Sequence, residues 1–224
     1  MTPEDWHLVG FTLGMAALST AVLIPPGLWL AWLLARRHWP GKSWIETIVT
    51  LPLILPPVAT GLILLKLFSR RGWLGAFLWE TFGISVVFTW RGVVVALSLM
   101  SLPLFIRSAR VAFAGVGRRH EQIAASLGAS PTRVFWTVSI PLARRGLLAG
   151  VLLAFARALG EFGATVVLAG NIPDRTQTLA LAIYQSVQTG DDGHAFRLMM
   201  VSLTLAFALA GASEWLSHRR DSHP

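Results

Sequence analysis

Leu8-Val9-Gly10-Phe11-Thr12-Leu13-Gly14-Met15-Ala16-Ala17-Leu18-Ser19-Thr20-Ala21-Val22-Leu23-Ile24-Pro25-Pro26-Gly27-Leu28-Trp29-Leu30-Ala31-Trp32-Leu33-Leu34-Ala35 runs without one ionisable side chain. The hydrocarbon core of a bilayer is about 30 Å thick and a helix rises about 1.5 Å per residue, so about 20 such residues cross it. The stretch is long enough to span. Pro25-Pro26 remove two backbone donors, which predicts a kink. Arg36, Arg37, His38 and Lys42 then form a short basic turn around Pro40-Gly41.

Four more apolar blocks follow. The second runs from about Trp44 to Phe68 and is rich in proline, at Pro52, Pro56 and Pro57. Broken spans of that kind are tolerated where neighbouring helices or a cavity satisfy the freed backbone groups. A polar segment with Arg70, Arg71, Gly72 and Glu80 leads to a third span, about Ile84 to Ile106, interrupted by Arg91. The longest polar stretch, about 107–141, carries Arg107, Arg110, Arg118, Arg119 and Arg133. A fourth span covers about Leu147 to Ala169, and a loop from Gly170 to Arg197 leads to a fifth, about Leu198 to Leu216. The expected fold class is therefore all-α: a polytopic membrane protein of about five transmembrane helices, one domain over residues 1–224.

Composition agrees. Of 224 residues 54% are hydrophobic and 13% charged, about half the charged share of a soluble domain. A formal net charge of +8 raises nucleic acid as a partner, but the Arg residues flank apolar blocks, the mark of membrane topology. With no cysteine, disulfide scaffolds, thiol nucleophiles and Cys-based metal sites are excluded. The six histidines, His7, His38, His120, His194, His218 and His223, show no metal-ligand spacing. No cofactor is expected. The acidic start, Met1-Thr2-Pro3-Glu4-Asp5, is unlike a cleavable signal, whose first residues are basic.

Orientation follows from counting Lys and Arg. With the N-terminus outside, the inner segments hold Arg36, Arg37, Lys42, Arg107, Arg110, Arg118, Arg119, Arg133, Arg144, Arg145, Arg219 and Arg220. The outer segments hold Lys66, Arg70, Arg71, Arg175 and Arg197. Twelve against five satisfies the positive-inside rule and places the C-terminus inside. Trp6, Trp44, Trp73 and Trp215 fall near span ends, as interfacial anchors do.

Within the long polar stretch, Glu121-Gln122-Ile123-Ala124-Ala125-Ser126-Leu127-Gly128-Ala129-Ser130-Pro131 begins like a helix and stops at Gly128, a typical residue for ending one. Val138-Ser139-Ile140-Pro141 follows nine residues after that glycine. Together they resemble the cytoplasmic signature of ABC importer permeases, E-A-A-x-x-x-G followed by I-x-L-P. Gln122 stands where the family usually has Glu, and Ile123 where it has the first Ala; Val138 and Ile140 replace Ile and Leu. Ala124, Gly128 and Pro141 match. The resemblance implies a short coupling helix that docks into a groove on an ATPase subunit, with Gln122, Ile123, Ala124, Gly128 and Pro141 as docking residues. The bland alternative is an ordinary surface helix between two spans.

A second resemblance reaches from Phe11 to Leu216. Ala154-Phe155-Ala156-Arg157-Ala158-Leu159-Gly160-Glu161-Phe162-Gly163-Ala164-Thr165, then Gly170-Asn171-Ile172-Pro173, is similar to the molybdate branch of these permeases, close to the sulfate and tungstate branches. Leu51-Pro52-Leu53-Ile54-Leu55-Pro56-Pro57 and Phe88-Thr89-Trp90 share in it. It implies a type I ABC importer permease fold in a bacterial inner membrane, passing a tetrahedral oxyanion inward: molybdate first, tungstate or sulfate as alternatives. Implied partners are ATPase subunits, a periplasmic oxyanion-binding protein, a second copy of the chain and membrane lipid.

Arg157 and Glu161 are four apart in the fourth span and so share a helix face. Charges inside a bilayer face the bundle interior or water. The pair is either a self-satisfying lock or part of the translocation path or its gate; Gly160 and Gly163 allow close helix approach, so a packed subunit interface is a third reading. Arg91 could attract an oxyanion, but a strong permanent anion site traps cargo; a partnered or snorkelling arginine is the favoured reading. Thr176 to Gln188 reads as a short helix at the outer face with Leu179, Ile183 and Val187 on one side, either meeting a binding protein or packing on the bundle.

The chain has no G-x-x-x-x-G-K-[ST] phosphate loop and no catalytic constellation, so it is expected to be a transport subunit rather than an enzyme, with ATP hydrolysed by a partner. A gradient-driven secondary transporter would carry inverted repeats, and five spans do not divide evenly. A membrane-embedded enzyme would need more polar residues at one depth than Arg91, Arg157 and Glu161 provide.

Overall fold

The computed structural model describes residues 2–37 and 39–218, with side chains described as far as residue 212. His38, Arg219, Arg220 and His223, and the side chains of Trp215 and His218, therefore lie outside the described residues. Eleven α-helices are found among those described: α1 Pro3–Arg36, α2 Lys42–Ile54, α3 Pro57–Phe68, α4 Trp73–Phe82, α5 Trp90–Ala114, α6 Arg118–Ser126, α7 Pro131–Val134, α8 Ile140–Leu159, α9 Gly163–Ala169, α10 Leu179–Thr189 and α11 Asp192–His218. A π-helical turn, Phe135–Ser139, joins α7 to α8 without a break.

α1 opens with a capping box. The Thr2 hydroxyl accepts from the Asp5 N–H, and the Asp5 carboxylate accepts from the Thr2 N–H at 2.8 Å. These bonds satisfy donors that a helix start leaves free. At 34 residues the helix is about 51 Å long, and it runs through Pro25 and Pro26 uninterrupted. Thr2 and Asp5 thus mark one end of the bundle and Arg36 the other.

α1, α5 and α8 form the core. Leu23, Ala31, Leu34, Phe105, Ile106, Ala109, Phe113, Leu147 and Ala154 are buried together, continued by Ala16, Val93, Leu97 and Ala158. Two glycines set how closely these helices approach. A Cβ on Gly27 would sit 2.5 Å from the Phe105 ring, and one on Gly150 3.0 Å from Ser108. Without a driving force between apolar helices in lipid, close packing of this kind holds them.

Among the described residues, four helices are long and apolar enough to span: Pro3–Arg36, Trp90–Ala114, Pro131–Leu159 and Asp192–Ala212. α2 and α3 make a fifth only as a bent pair, turned by 112°. The second span is therefore not one rod. Leu55 is the last donor, to the Leu51 carbonyl at 3.0 Å, and then Pro56 and Pro57 have no N–H to continue the ladder. Pro57 instead starts α3, a position where its missing donor costs nothing.

Three further expectations are corrected. Trp73–Phe82, expected as part of a polar segment, is a helix held between Gly72 and a left-handed Gly83. The third span starts at Trp90 rather than Ile84 and continues to Ala114, so Arg107 and Arg110 are helical. Arg110 is anchored there by an ion pair to Glu46 of α2 at 2.8 Å. The fourth span begins at Pro131 and ends at Leu159, not Ala169. The polar stretch 107–141 thereby shrinks to a short connection around α6, with helical ends running into it on both sides.

Candidate functional site

α6 stands at the Arg36 end of the bundle, between α5 and α7. Its end is a Schellman turn: the Ala129 N–H reaches the Ala124 carbonyl at 3.1 Å and the Gly128 N–H the Ala125 carbonyl at 3.0 Å. Gly128 has φ +85, a left-handed backbone that an L-side chain adopts at a cost, and open space lies where its Cβ would be. Beside it Gln122, Ile123 and Leu127 are exposed, Leu127 at 82%, while Ala124 is half-buried. This is a small apolar knob with a sharply ended helix. Pro141 is not on α6; it lies in the first turn of α8, two residues after Ser139.

What fastens α6 to the bundle is Glu121, which the sequence reading gave no role. Its Oε1 accepts from the Arg36 Nε at 3.1 Å and Nη2 at 2.8 Å, and from the Ser139 hydroxyl at 2.7 Å. The Arg36 Nη2 also donates to the Val116 carbonyl at 3.0 Å. Ser139 is fully buried and ends the π-helical turn. A cavity of about 290 Å³ lies under α6, bordered by Trp32, Arg36, Glu121, Gln122 and Ser139.

The second set, Arg157, Glu161 and Gly163, lies at the break between α8 and α9. Arg157 is in the last turn of α8 and Glu161 just beyond it, so they do not share one continuous helix. They still meet, Arg157 Nη1 to Glu161 Oε2 at 2.7 Å. The other carboxylate oxygen accepts from the Ala164 N–H at 2.9 Å and caps α9. Glu161 is 1% exposed and Arg157 26%. Gly163 seats α9 on α3: a Cβ there would lie 2.7 Å from that of Pro57. One on Gly61 would lie 2.9 Å from the Ala164 Cα and carbonyl oxygen. The two half-helices meet at van der Waals distance through backbone that only glycine leaves bare. Gly61 was missed by reading motifs; its place one turn into a proline-started helix was the available signal.

Arg91 does not interrupt a span. It lies in the first turn of α5 with its guanidinium 5.0 Å from the Trp90 ring centroid, a cation–π contact. At this end α10 buries Leu179, Ala182 and Ser186, while Val187 is 58% exposed, so the expected face of Leu179, Ile183 and Val187 is rotated. His194 ties the end together. Its Nε2 is 2.9 Å from Asp5 Oδ1 and its Nδ1 3.1 Å from the Ser186 hydroxyl, linking α1, α10 and α11. The in-line Ser, His and Asp are a structural brace: the serine is buried and donates to the Ala182 carbonyl.

Among the described residues, four spanning helices and a fifth, proline-broken pair, with a short exposed helix at one end, define a class. Residues 24–219 match the family described as binding-protein-dependent transport system inner membrane component, and the chain belongs to it. It is accordingly a multi-pass inner-membrane protein. Within that family it is 43% identical over 218 residues to the molybdenum transport system permease protein ModB of Escherichia coli strain K12, covering 97% of this chain and 95% of that one. ModB of Haemophilus influenzae is 41% identical over 212 residues, 94% of this chain and 93% of that one. The fold matches that of the methionine ABC transporter MetNI in its inward-facing conformation, TM-score 0.73 at 17% identity, covering 98% of this chain and 99% of that one. The type I ABC importer permease fold is the fold of this chain.

Proposed function

We propose that this chain is the membrane subunit of an ATP-driven importer whose cargo is molybdate. The observation that carries the reading is the 43% identity to a molybdenum transport permease across 97% of the chain; a short α6 with no buried residue, ended sharply at Gly128, supports it. The chain holds no phosphate loop, so a partner ATPase supplies the energy. Gln122, Ile123, Ala124 and Gly128 form the surface that seats in it, with Pro141 fixing the start of α8 behind them. The Lys and Arg count supports an N-terminus outside and α6 inside. Two copies of the chain form the path, and a periplasmic oxyanion-binding protein delivers the cargo at the α10 end. Arg157, Glu161 and Gly163 hold the α8–α9 break against α3 beside that path, as its gate. Packed helices with two discrete arrangements would move there as rigid bodies.

Sulfate is the second reading. It is favoured by the 37% identity, over 97% of this chain and 58% of that one, to sulfate permease 2 of Chlamydomonas reinhardtii. Co-purification from detergent with a molybdate-type ABC ATPase subunit tests the docking part. The wild-type chain retains the ATPase, and Gly128→Arg, which sets a bulky cation on the bare turn, loses it while staying folded. Equal retention by both chains refutes the docking surface.

A further inference from the structure

Resting on the reading that α6 docks on an ATPase, we infer that Glu121 is the positioning residue through which movement of α6 enters the spans. A helix that docks can move its bundle only if something stiff connects them, and α6 has few apolar ties of its own. None of its residues is buried. Its polar ties concentrate on one carboxylate. A single oxygen of Glu121 gathers two N–H groups of Arg36, from the last turn of α1, and the Ser139 hydroxyl, from the turn that starts the α8 span.

Arg36 is 8% and Glu121 17% exposed at the side chain, so water competes poorly for the pair. Charge-assisted bonds in such a setting are short and strong, and the guanidinium fork fixes direction as well as distance. Arg118 closes the ring by donating to the Arg36 carbonyl at 3.4 Å. The second connection runs into a π-helical turn, whose i→i+5 bonding is rare inside helices and occurs frequently at functional sites. One carboxylate therefore joins the docked helix to the long α1 span on one side and to the π-helical turn at the start of the α8 span on the other. Glu121 faces inward to do this, whereas Gln122 and Ile123 beside it are exposed.

The test uses the chain assembled with its ATPase and reconstituted into liposomes, measuring ATP hydrolysed and oxyanion taken up. Glu121→Gln retains the ATPase on purification and still hydrolyses ATP, but uptake per ATP falls about tenfold, the size of an ordinary coupling free energy. Arg36→Gln does the same, and the double variant is no worse than either single one, because both remove the same link. Ser139→Ala, a smaller lesion that keeps the ion pair, lowers the ratio less. It serves as the readout if the charge variants fold poorly.

Because the chain has no cysteine, spin labels at Arg37→Cys and Arg119→Cys report the joint directly. With Glu121 present their separation stays within about 2 Å on adding ATP, whereas with Glu121→Gln it shifts or broadens beyond that, since the two elements no longer move as one body. An unchanged uptake-to-ATP ratio and an unchanged label distance in Glu121→Gln overturn the inference. So does loss of ATPase retention in that variant, which would place Glu121 on the docking surface itself. A wild-type chain that retains no ATPase instead refutes the docking reading beneath it.

Discussion

Removing Arg157 should cost far more than neutralising Glu161, although the two form a single ion pair. In Arg157→Met the carboxylate of Glu161, 1% exposed, keeps just the Ala164 N–H. Breaking a buried pair from the side that leaves a charge stranded costs about 3–5 kcal/mol. Methionine preserves the packing of the arginine stem, so the loss reports the charge. In Glu161→Gln the amide oxygen still accepts from Ala164 and caps α9. Arg157, 26% exposed, keeps a route to a polar surrounding. The cost there is about 1–2 kcal/mol, that of an ordinary buried hydrogen bond. The difference of about 2 kcal/mol is roughly a thirtyfold ratio in unfolding equilibrium constants. Equilibrium unfolding in mixed micelles of rising SDS content, followed by tryptophan fluorescence, measures both. The reasoning is refuted if Glu161→Gln is as damaging as Arg157→Met, or if Arg157→Met is silent.

Other expectations follow from the same contacts. Gly61→Val forces branched carbons into the backbone of Ala164, 2.9 Å from even a first Cβ, and should destabilise by about 1–3 kcal/mol in the same micelle titration. Gly128→Ala, with room for the methyl but φ +85, should cost about 1 kcal/mol locally and show as faster amide exchange at Ser126–Ala129 with the spans unchanged. Asp5→Ala removes the carboxylate half of the α1 capping box and the His194 partner. It should loosen the α10–α11 junction, read as raised hydrogen exchange there and not around α6.

The spans were legible because apolar length is a crude and strong signal: residues 8–35 offer nothing that water would hold. Their ends were less so. Arg107 and Arg110 looked like a loop because they are charged, yet arginine is a good helix former and Glu46 lies within reach of Arg110. The bend at Pro56-Pro57 was visible as chemistry, two missing donors, but its 112° depends on α3 finding a seat against α9. Of the site, Gln122 to Gly128 was readable as a motif. Glu121 was not, because its partners Arg36 and Ser139 lie 85 residues before and 18 after it. Arg157 and Glu161 were paired correctly for an imperfect reason: the helix ends between them, and the carboxylate reaches back.

The central claim is that this chain passes an oxyanion inward when an ATPase works on α6. Uptake of radiolabelled molybdate into liposomes bearing the chain, its ATPase and its binding protein measures that directly. The account predicts molybdate accumulation that needs ATP on the α6 side, is lost in Gly128→Arg, and is competed by tungstate better than by sulfate. Accumulation that persists without ATP and follows an ion gradient instead would contradict it.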